Sequence, residues 1–541
     1  MSEPNPQQEK LVELPVGNVL VIAPAGCGKT EALAGRARAV LARGEVAAPQ
    51  KILALTFSNK ARDNLASRIR GAVGAAWRQR ISVTNFHGLA ARILRAHGEE
   101  LDIPAGVALP EDAWRRRQRN QLGIDYRNGD AFDAALHEAK RGPYDDEEVM
   151  ARLLASGHAA AIAYEERLRE EGRLDYDDLI RHASRLLQVL EIRRLYRAHF
   201  GMVMVDEIQD LSLQQYEMVR AVGGDRVTYA GDPAQGIYSF AGADPLGVFA
   251  RIRALAPEIV EFNRSYRSAP AVLRAVNALA SQMEATQLEC GEPDRWPDDG
   301  HVLSLERDDT GDEATSLLAL IDEILENPTT TIGVVGRRGS RLDSLRRTAD
   351  GRGVTFEDWS AATHVPAVVD LLNRSLPQLA GRGESDTDIV DLLESFCCNL
   401  VDPADVATLD ELVNACDALR TMVAKGVSVA DAVASCHASP RPDAAVAAGL
   451  HLLTGHKGKG QEFDWVFVVG LESGHIPDFR SVAGDALAEE LRVLHVMVSR
   501  ARYGVVLTYC RHTETRAGWR DTEPSPWLAL LRGVATSFDH R

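Results

Sequence analysis

Short apolar runs recur along the first half of the chain, each closed by a polar or glycine-rich turn. They are NVLVIAP from Asn18, KILALTF from Lys51, ISVTNF from Ile81, MVMVDE from Met202, RVTYAGD from Arg226 and IVEFN from Ile259. Runs that are apolar on both faces and alternate with helical periodicity predict βαβ units and a parallel sheet covered on both sides. A second set reads HVLSLE from His301, TIGVVG from Thr331, HLLTG from His451, WVFVVG from Trp465 and GVVLTYC from Gly504. Neither set is contiguous. Residues 100–198 and 364–448 interrupt them with apolar spacing of helical period, as in AYEERLREEGRLDYDDLIRHASRLL and LDELVNACDALRTMVAKG. The expected architecture is α/β, with two parallel-sheet lobes that each carry a mainly helical insertion. The first lobe takes 1–99 and 199–262 and its insertion 100–198. The second takes 263–363 and 449–541 and its reduced insertion 364–448.

Charge changes the picture only when it is located. The 541 residues carry a formal net charge of −17, which by itself argues against a polyanionic partner. Residues 1–120, however, hold 18 Lys and Arg against 11 Asp and Glu, so a cationic N-terminal portion sits on an acidic remainder. A phosphate backbone meets one surface, not the average of all of them. The seven cysteines show no CxxC spacing, and the start MSEPNPQQEK is polar, with no apolar run of 18 residues anywhere. These features point to a reducing, cytoplasmic setting without membrane insertion, disulfide scaffold or zinc site.

APAGCGKT, from Ala23 to Thr30, follows a predicted strand and opens a predicted helix. That is the context of a phosphate-binding loop, in which Ala25, Gly26, Cys27 and Gly28 supply backbone N–H groups to the phosphates. Lys29 reaches the β- and γ-phosphates, and Thr30 holds Mg²⁺ through its hydroxyl. VDEIQD, from Val205 to Asp210, ends another strand and supplies carboxylates. Asp206 suits the Mg²⁺ shell, and Glu207 suits orienting or deprotonating the attacking water. ATP and Mg²⁺ are the cofactors these two motifs require. Exposed aromatics after strand ends, among them Phe57, Phe86, Tyr238 and Phe240, with Lys60, Arg62 and His87 nearby, fit a stacking platform for single-stranded nucleic acid. The RRRQR run at 115–119 reads first as a solvated helix face.

The order of these motifs resembles superfamily 1 DNA helicases of the UvrD/PcrA/Rep type, and the likeness runs almost end to end. NPQQEKLV resembles the family's Q motif, LALTFSNKARDNLASRI from Leu53 its motif Ia, and VTNFHGLAARIL from Val83 its motif Ib. AGDPAQGIYSFAGAD from Ala230 resembles motif III, and NRSYRSAPAVL from Asn263 motif IV. TGHKGKGQEF from Thr454 resembles motif V, and ELRVLHVMVSRAR from Glu490 motif VI. The resemblance implies two RecA-like lobes. It implies that Gln8 reads the adenine edge, Tyr266 stacks on adenine, Glu462 faces the ribose and Gln235 senses the γ-phosphate. It makes Arg267 and Arg500 arginine fingers, both in the second lobe by the division above. It places Phe57, Asn59, Thr84, Phe86, His87, Tyr238, Phe240 and His456 on DNA. Ala241, Phe240, Ile208, Gly458 and Gln461 depart from the family's usual residues.

What the resemblance implies for function is ATP-dependent 3′–5′ translocation on single-stranded DNA, with separation of duplex at single-strand/duplex junctions. An alternative is a nucleotide-gated subunit, weak in unwinding, that works with a nuclease or repair partner, as in Gabija-type antiviral defence. The small second insertion is compatible with that alternative.

Overall fold

The first six predicted strands form one all-parallel sheet in a computed structural model that describes residues 5–104, 106–110, 112–124, 128–239, 242–283, 285–359, 363, 365–379, 385–401, 406–424, 426–437, 445–515 and 518–539. The strands are β1 (Val19–Ile22), β2 (Lys51–Thr56), β3 (Ile81–Asn85), β4 (Phe200–Val205), β5 (Val227–Gly231) and β6 (Glu258–Glu261). Their order across the sheet is β3-β2-β4-β5-β1-β6. β1 and β4 are buried along their whole length, as helices on both faces require. β6 closes one edge and buries only Val260. Every loop that follows β1, β2, β4 and β5 therefore opens at the same carboxyl edge, where parallel sheets place ligands.

The first insertion is helical, as its periodicity predicts. Four helices (112–121, 129–140, 146–156 and 159–170) enclose a small core that includes Trp114, Phe132, Val149, Leu153 and Tyr164. The helix Tyr176–Leu186 that follows is strongly amphipathic and returns to the sheet. Its Leu179, Ile180, Ala183 and Leu186 join Phe86, Leu89 and Ile93 in the main core. At its foot lies a buried charge cluster. Lys140, with no exposed side chain, pairs with Glu165 at 2.7 Å, Asp175 at 2.8 Å and Asp178 at 2.9 Å. Arg181 adds a second cation on Asp178 at 2.9 Å. Each charge has lost its water, and the cluster holds because every member has opposite charges in contact.

The chain forms two compact units, Met1–Arg267 with Glu284–Gly291, and Ser268–Met283 with Glu292–Arg541. The return of 284–291 to the first unit rests on a two-residue parallel ladder, β7 (Arg264–Ser265) with β8 (Glu289–Cys290). In the second unit the sheet contains β9 (His301–Asp309), β10 (Thr331–Gly336), β11 (Phe356–Asp358), β12 (Gly449–Thr454), β13 (Phe463–Val469), β14 (Ala501–Thr515) and β16 (Ser537–Asp539). These run in the order β11-β12-β10-β13-β14-β9-β16, and β15 (Gly518–Asp521) pairs antiparallel with the end of β14. Arg341 is buried between Glu313 at 2.6 Å and Glu472 at 2.9 Å and ties three segments of this unit together. Helices 366–375, 386–398, 406–424 and 429–434 lie between β11 and β12 and share a core of their own, with Leu372, Leu393, Cys416 and Leu419 in it. Among the described residues no helix is long and apolar enough to cross a membrane.

Candidate nucleotide and nucleic-acid site

The loop after β1 is built around two glycines in the left-handed region, Gly26 at φ +83° and Gly28 at φ +75°. A Cβ on Gly26 would stand 2.6 Å from the Cβ of Arg267 and the Oγ of Ser265. One on Gly28 would stand 2.6 Å from Nε2 of Gln8. Both positions therefore need glycine for conformation and for space. Gly28 caps the helix Lys29–Ala42 with no side-chain hydrogen bond, so the first-turn N–H groups are left for an anion. Cys27 is buried inside the loop, and burial pushes its thiol far up, which argues against redox use.

Lys29 ion-pairs with Asp206 at 3.0 Å and Glu207 at 2.8 Å. Burial works against its charge, but the two carboxylates outweigh it and hold the ammonium above lysine's ordinary range. Burial and Glu207 together raise Asp206 above the ordinary carboxyl range, although Lys29 opposes them. The Asp206 carboxylate suits Mg²⁺, and the glycine loop with the helix N-terminus suits a polyphosphate. Lys29 supplies the compensating charge in the structure as it stands.

Glu207 is held at φ +59°, a conformation that carries strain for any side chain other than glycine. Gln209, which the sequence reading did not single out, restrains it. The Gln209 amide donates to the Glu207 carboxylate, and its carbonyl oxygen accepts from the backbone N–H of Asp232 at 3.1 Å. Asp232 in turn accepts from the Gln235 amide at 2.8 Å. A chain of hydrogen bonds, passing through the backbone of Asp232, thus runs from the carboxylate after β4 to the amide after β5. The signal for it is a polar residue two positions beyond the acidic pair, opposite a glycine. A Cβ on Gly231 would meet the Gln209 carbonyl oxygen at 2.4 Å.

The N-terminal helix Pro6–Glu13 packs beside the loop. Asn5 caps it in a reciprocal box with Gln8, and Gln8 also donates to the carbonyl of Cys27 at 3.1 Å. Asn5 donates to the Tyr266 hydroxyl at 3.1 Å, Gln7 donates to Asn263 at 2.6 Å, and the Tyr266 N–H donates to the Gly26 carbonyl at 2.9 Å. Buried Arg36 fastens this helix by donating to the carbonyls of Leu11, Leu14 and Pro15. Tyr266 and Arg267 thus fall in the first unit, whereas the division at residue 263 put both in the second lobe. The β7–β8 ladder and the bond to Gly26 hold that segment there.

In the second unit Arg500 is buried at the end of the helix Gly484–Val498. Its Nε donates to the carbonyl of Val496 and one terminal nitrogen donates to Ser499, each at 3.0 Å. Glu462 accepts from Arg502 at 3.1 Å. His456 sits half-buried in the loop after β12.

Of the rings expected to stack on bases, Phe57 and Tyr238 come together after β2 and β5. Their centroids are 5.8 Å apart and their planes 14° from parallel. Asn59 is exposed beside them and accepts from Asn85 at 3.0 Å; Asn85 also caps the helix Phe86–His97. Thr84 is nearly buried. His87 is half-buried edge-on to Tyr176, and burial lowers its pKa. Phe86 is a correction. It is 1 % exposed and lies in the core beneath the sheet, because it begins the inward face of its helix. Phe240 and Ala241 lie outside the described residues. In the 115–119 run, Arg115 and Arg119 both pair with Asp133, at 3.1 and 2.7 Å.

Residues 4–252 match the UvrD/REP helicase N-terminal domain, and residues 438–512 match the UvrD-like helicase C-terminal domain. Among similar proteins, the ATP-dependent DNA helicase UvrD1 of Mycobacterium tuberculosis is 28% identical, over 98% of this chain and 85% of that protein. The ATP-dependent DNA helicase UvrD2 of the same organism is 27% identical, over 98% of this chain and 81% of its own length. DNA helicase II of Escherichia coli is also 27% identical, over 95% of this chain and 84% of its own. Domain matches from both halves of one helicase family, and relatives aligned over nearly the whole sequence, agree with the two parallel-sheet units: the chain belongs to the UvrD-like superfamily 1 helicases.

Proposed function

We propose that this protein is an ATP-dependent DNA helicase that moves 3′ to 5′ along single-stranded DNA and opens duplex at junctions. The observation that carries the reading is the wiring at the carboxyl edge of the first sheet. Lys29, Asp206 and Glu207 meet there, and Gln209 and Asp232 continue from them to Gln235, three residues before the stacked Tyr238. Thr30 and Asp206 would hold Mg²⁺, which supplies charge for the phosphate oxygens. Glu207 orients the attacking water and accepts its proton, while Lys29 and Arg267 neutralise charge that grows on the γ-phosphate. Gln235 reports the presence of that phosphate to the loop that carries Tyr238. The roles of Gln8, Tyr266, Glu462, Arg500 and His456 are read from their motifs, and alanine variants of each test them.

The test is ATP hydrolysis with and without single-stranded DNA, in the native chain and in Glu207→Gln. Strong stimulation that the variant loses is the expected result. Hydrolysis indifferent to DNA would move the reading to a subunit gated by a protein partner. Unwinding of a 3′-tailed but not a 5′-tailed duplex checks the polarity.

A further inference from the structure

The second unit contains a link that neither the nucleotide chemistry nor the sheet requires. The loop after β12 carries His456, and its next residue, Lys457, donates from the ammonium to the main-chain carbonyl of Trp359. The Asp358 carboxylate is close enough to act on that charge. Trp359 marks the point where the chain leaves the sheet for the helical insertion. Its backbone N–H donates to the carbonyl of Leu452 at 2.9 Å, continuing the β11–β12 ladder, and its indole is buried.

The indole N–H of Trp359 points to Nδ1 of His451 at 3.2 Å, and Nε2 of His451 lies 2.8 Å from the carbonyl oxygen of Ala447. An indole nitrogen can only donate and a carbonyl can only accept. Nε2–H of His451 is therefore the donor to Ala447, while Nδ1 faces both the indole N–H and the Glu357 carboxylate. The half-exposed Glu357 carboxylate lies 3.1 Å from that same Nδ1. Ala447 lies where the chain returns from the insertion. One buried imidazole thus joins the outgoing and incoming ends of the insertion, and Lys457 fastens the His456 loop to the same point. The helices between those ends keep a core of their own, and these roots tie them to the sheet beside the ring contact of His437 with Phe356.

We propose that Lys457 is a positioning residue for the 454–462 loop, and that through Trp359 and His451 it couples this loop to the helical insertion, so that single-stranded DNA held by the loop alters the insertion. The proposal rests on the reading of that loop as a DNA contact. Coupling of this kind can travel through a chain of packed and hydrogen-bonded groups, and Lys457, Trp359, His451 and Ala447 form such a chain.

The test uses the full chain, with oligo(dT) as the probe. Amide hydrogen exchange is followed in helices 366–375 and 429–434 with and without the oligonucleotide, and binding is monitored by fluorescence anisotropy. In the native chain, bound DNA should change exchange in these helices by about twofold or more. Lys457→Met should lose that response while its exchange without DNA stays native, which shows that the fold is intact. Its half-saturating DNA concentration should rise about fivefold, with the maximal stimulated rate of hydrolysis within about twofold, the split expected when binding rather than chemistry is affected. Lys457→Arg keeps a cation at the carbonyl and should restore the response. A native-sized response in Lys457→Met overturns the proposal, as does a native chain that binds oligo(dT) with no change in the insertion. A native chain that fails to bind oligo(dT) at all removes the functional reading first, and the proposal with it.

Discussion

Gln209 shows how much one buried amide can settle. It restrains a strained Glu207 on one side and reaches Asp232 on the other. Gln209→Leu removes both bonds at similar size, and we expect kcat for ATP hydrolysis to fall at least about tenfold with KM for ATP within about threefold. Steady-state kinetics check this, and combining it with Gln235→Ala should give less than the sum of the two effects, because both act through one chain of bonds. Gly26→Ala offers a second residue-level test. The side chain would need a left-handed backbone and would collide with Arg267, so a cost of about 1–3 kcal/mol is expected in a denaturation midpoint, along with lost nucleotide binding. Gly26 was legible in the sequence, since the loop signature demands glycine there. Phe86 was not, because an aromatic that opens a helix after a strand points inward or outward according to the helix face, and one residue does not reveal that face.

The helix Tyr176–Leu186 is where stability and placement meet. Asp175 caps it, Asp178 sits in its first turn, and both rest on Lys140. Lys140→Met leaves three buried carboxylates without their shared cation, and a loss of about 3–5 kcal/mol is expected in urea unfolding. The cluster also has a pH signature. Burial and Asp178 push Asp175 up to about 7, so the folded state retains a proton that the unfolded state has already lost. Between about pH 4 and 7 this group's contribution to stability therefore falls as pH rises. Asp178 goes the other way: burial works against its charge, but Lys140 and Arg181 hold it low, and its contribution is lost only in strong acid. Asp175→Asn keeps the cap and removes the titration. The difference in thermal midpoint between native and variant, followed from pH 5 to 7, isolates the Asp175 effect, and a pH-independent difference would refute it. The helices themselves were legible from apolar spacing. The buried lysine was not, since nothing in EAKRG announces that its carboxylates come from 25 and more residues away.

Over the whole molecule, the first sheet and five central strands of the second were legible because parallel strands buried on two faces leave apolar runs, whereas β11, β15 and β16, only three or four residues long, leave none. The division between the units was harder to read, because β7 and β8 are two residues long and have no period. The uneven charge bears on binding at this scale. Despite a net charge of −17, affinity for single-stranded DNA should fall with added salt, with a log–log slope of about −0.7 for each phosphate neutralised. A titration series in sodium chloride measures it, and a flat or rising dependence would count against the DNA reading.

The pairing of Lys29 with Asp206 and Glu207 bears on how inactive versions of this protein are made. Replacing the lysine with alanine is a subtraction that leaves an addition behind: two neighbouring anions stripped of their counter-ion. Such a variant would recruit divalent cations in the absence of nucleotide, gaining thermal stability from magnesium or manganese where the native chain gains little. An experiment that treats it as an empty control would be using a protein with a new appetite for metal.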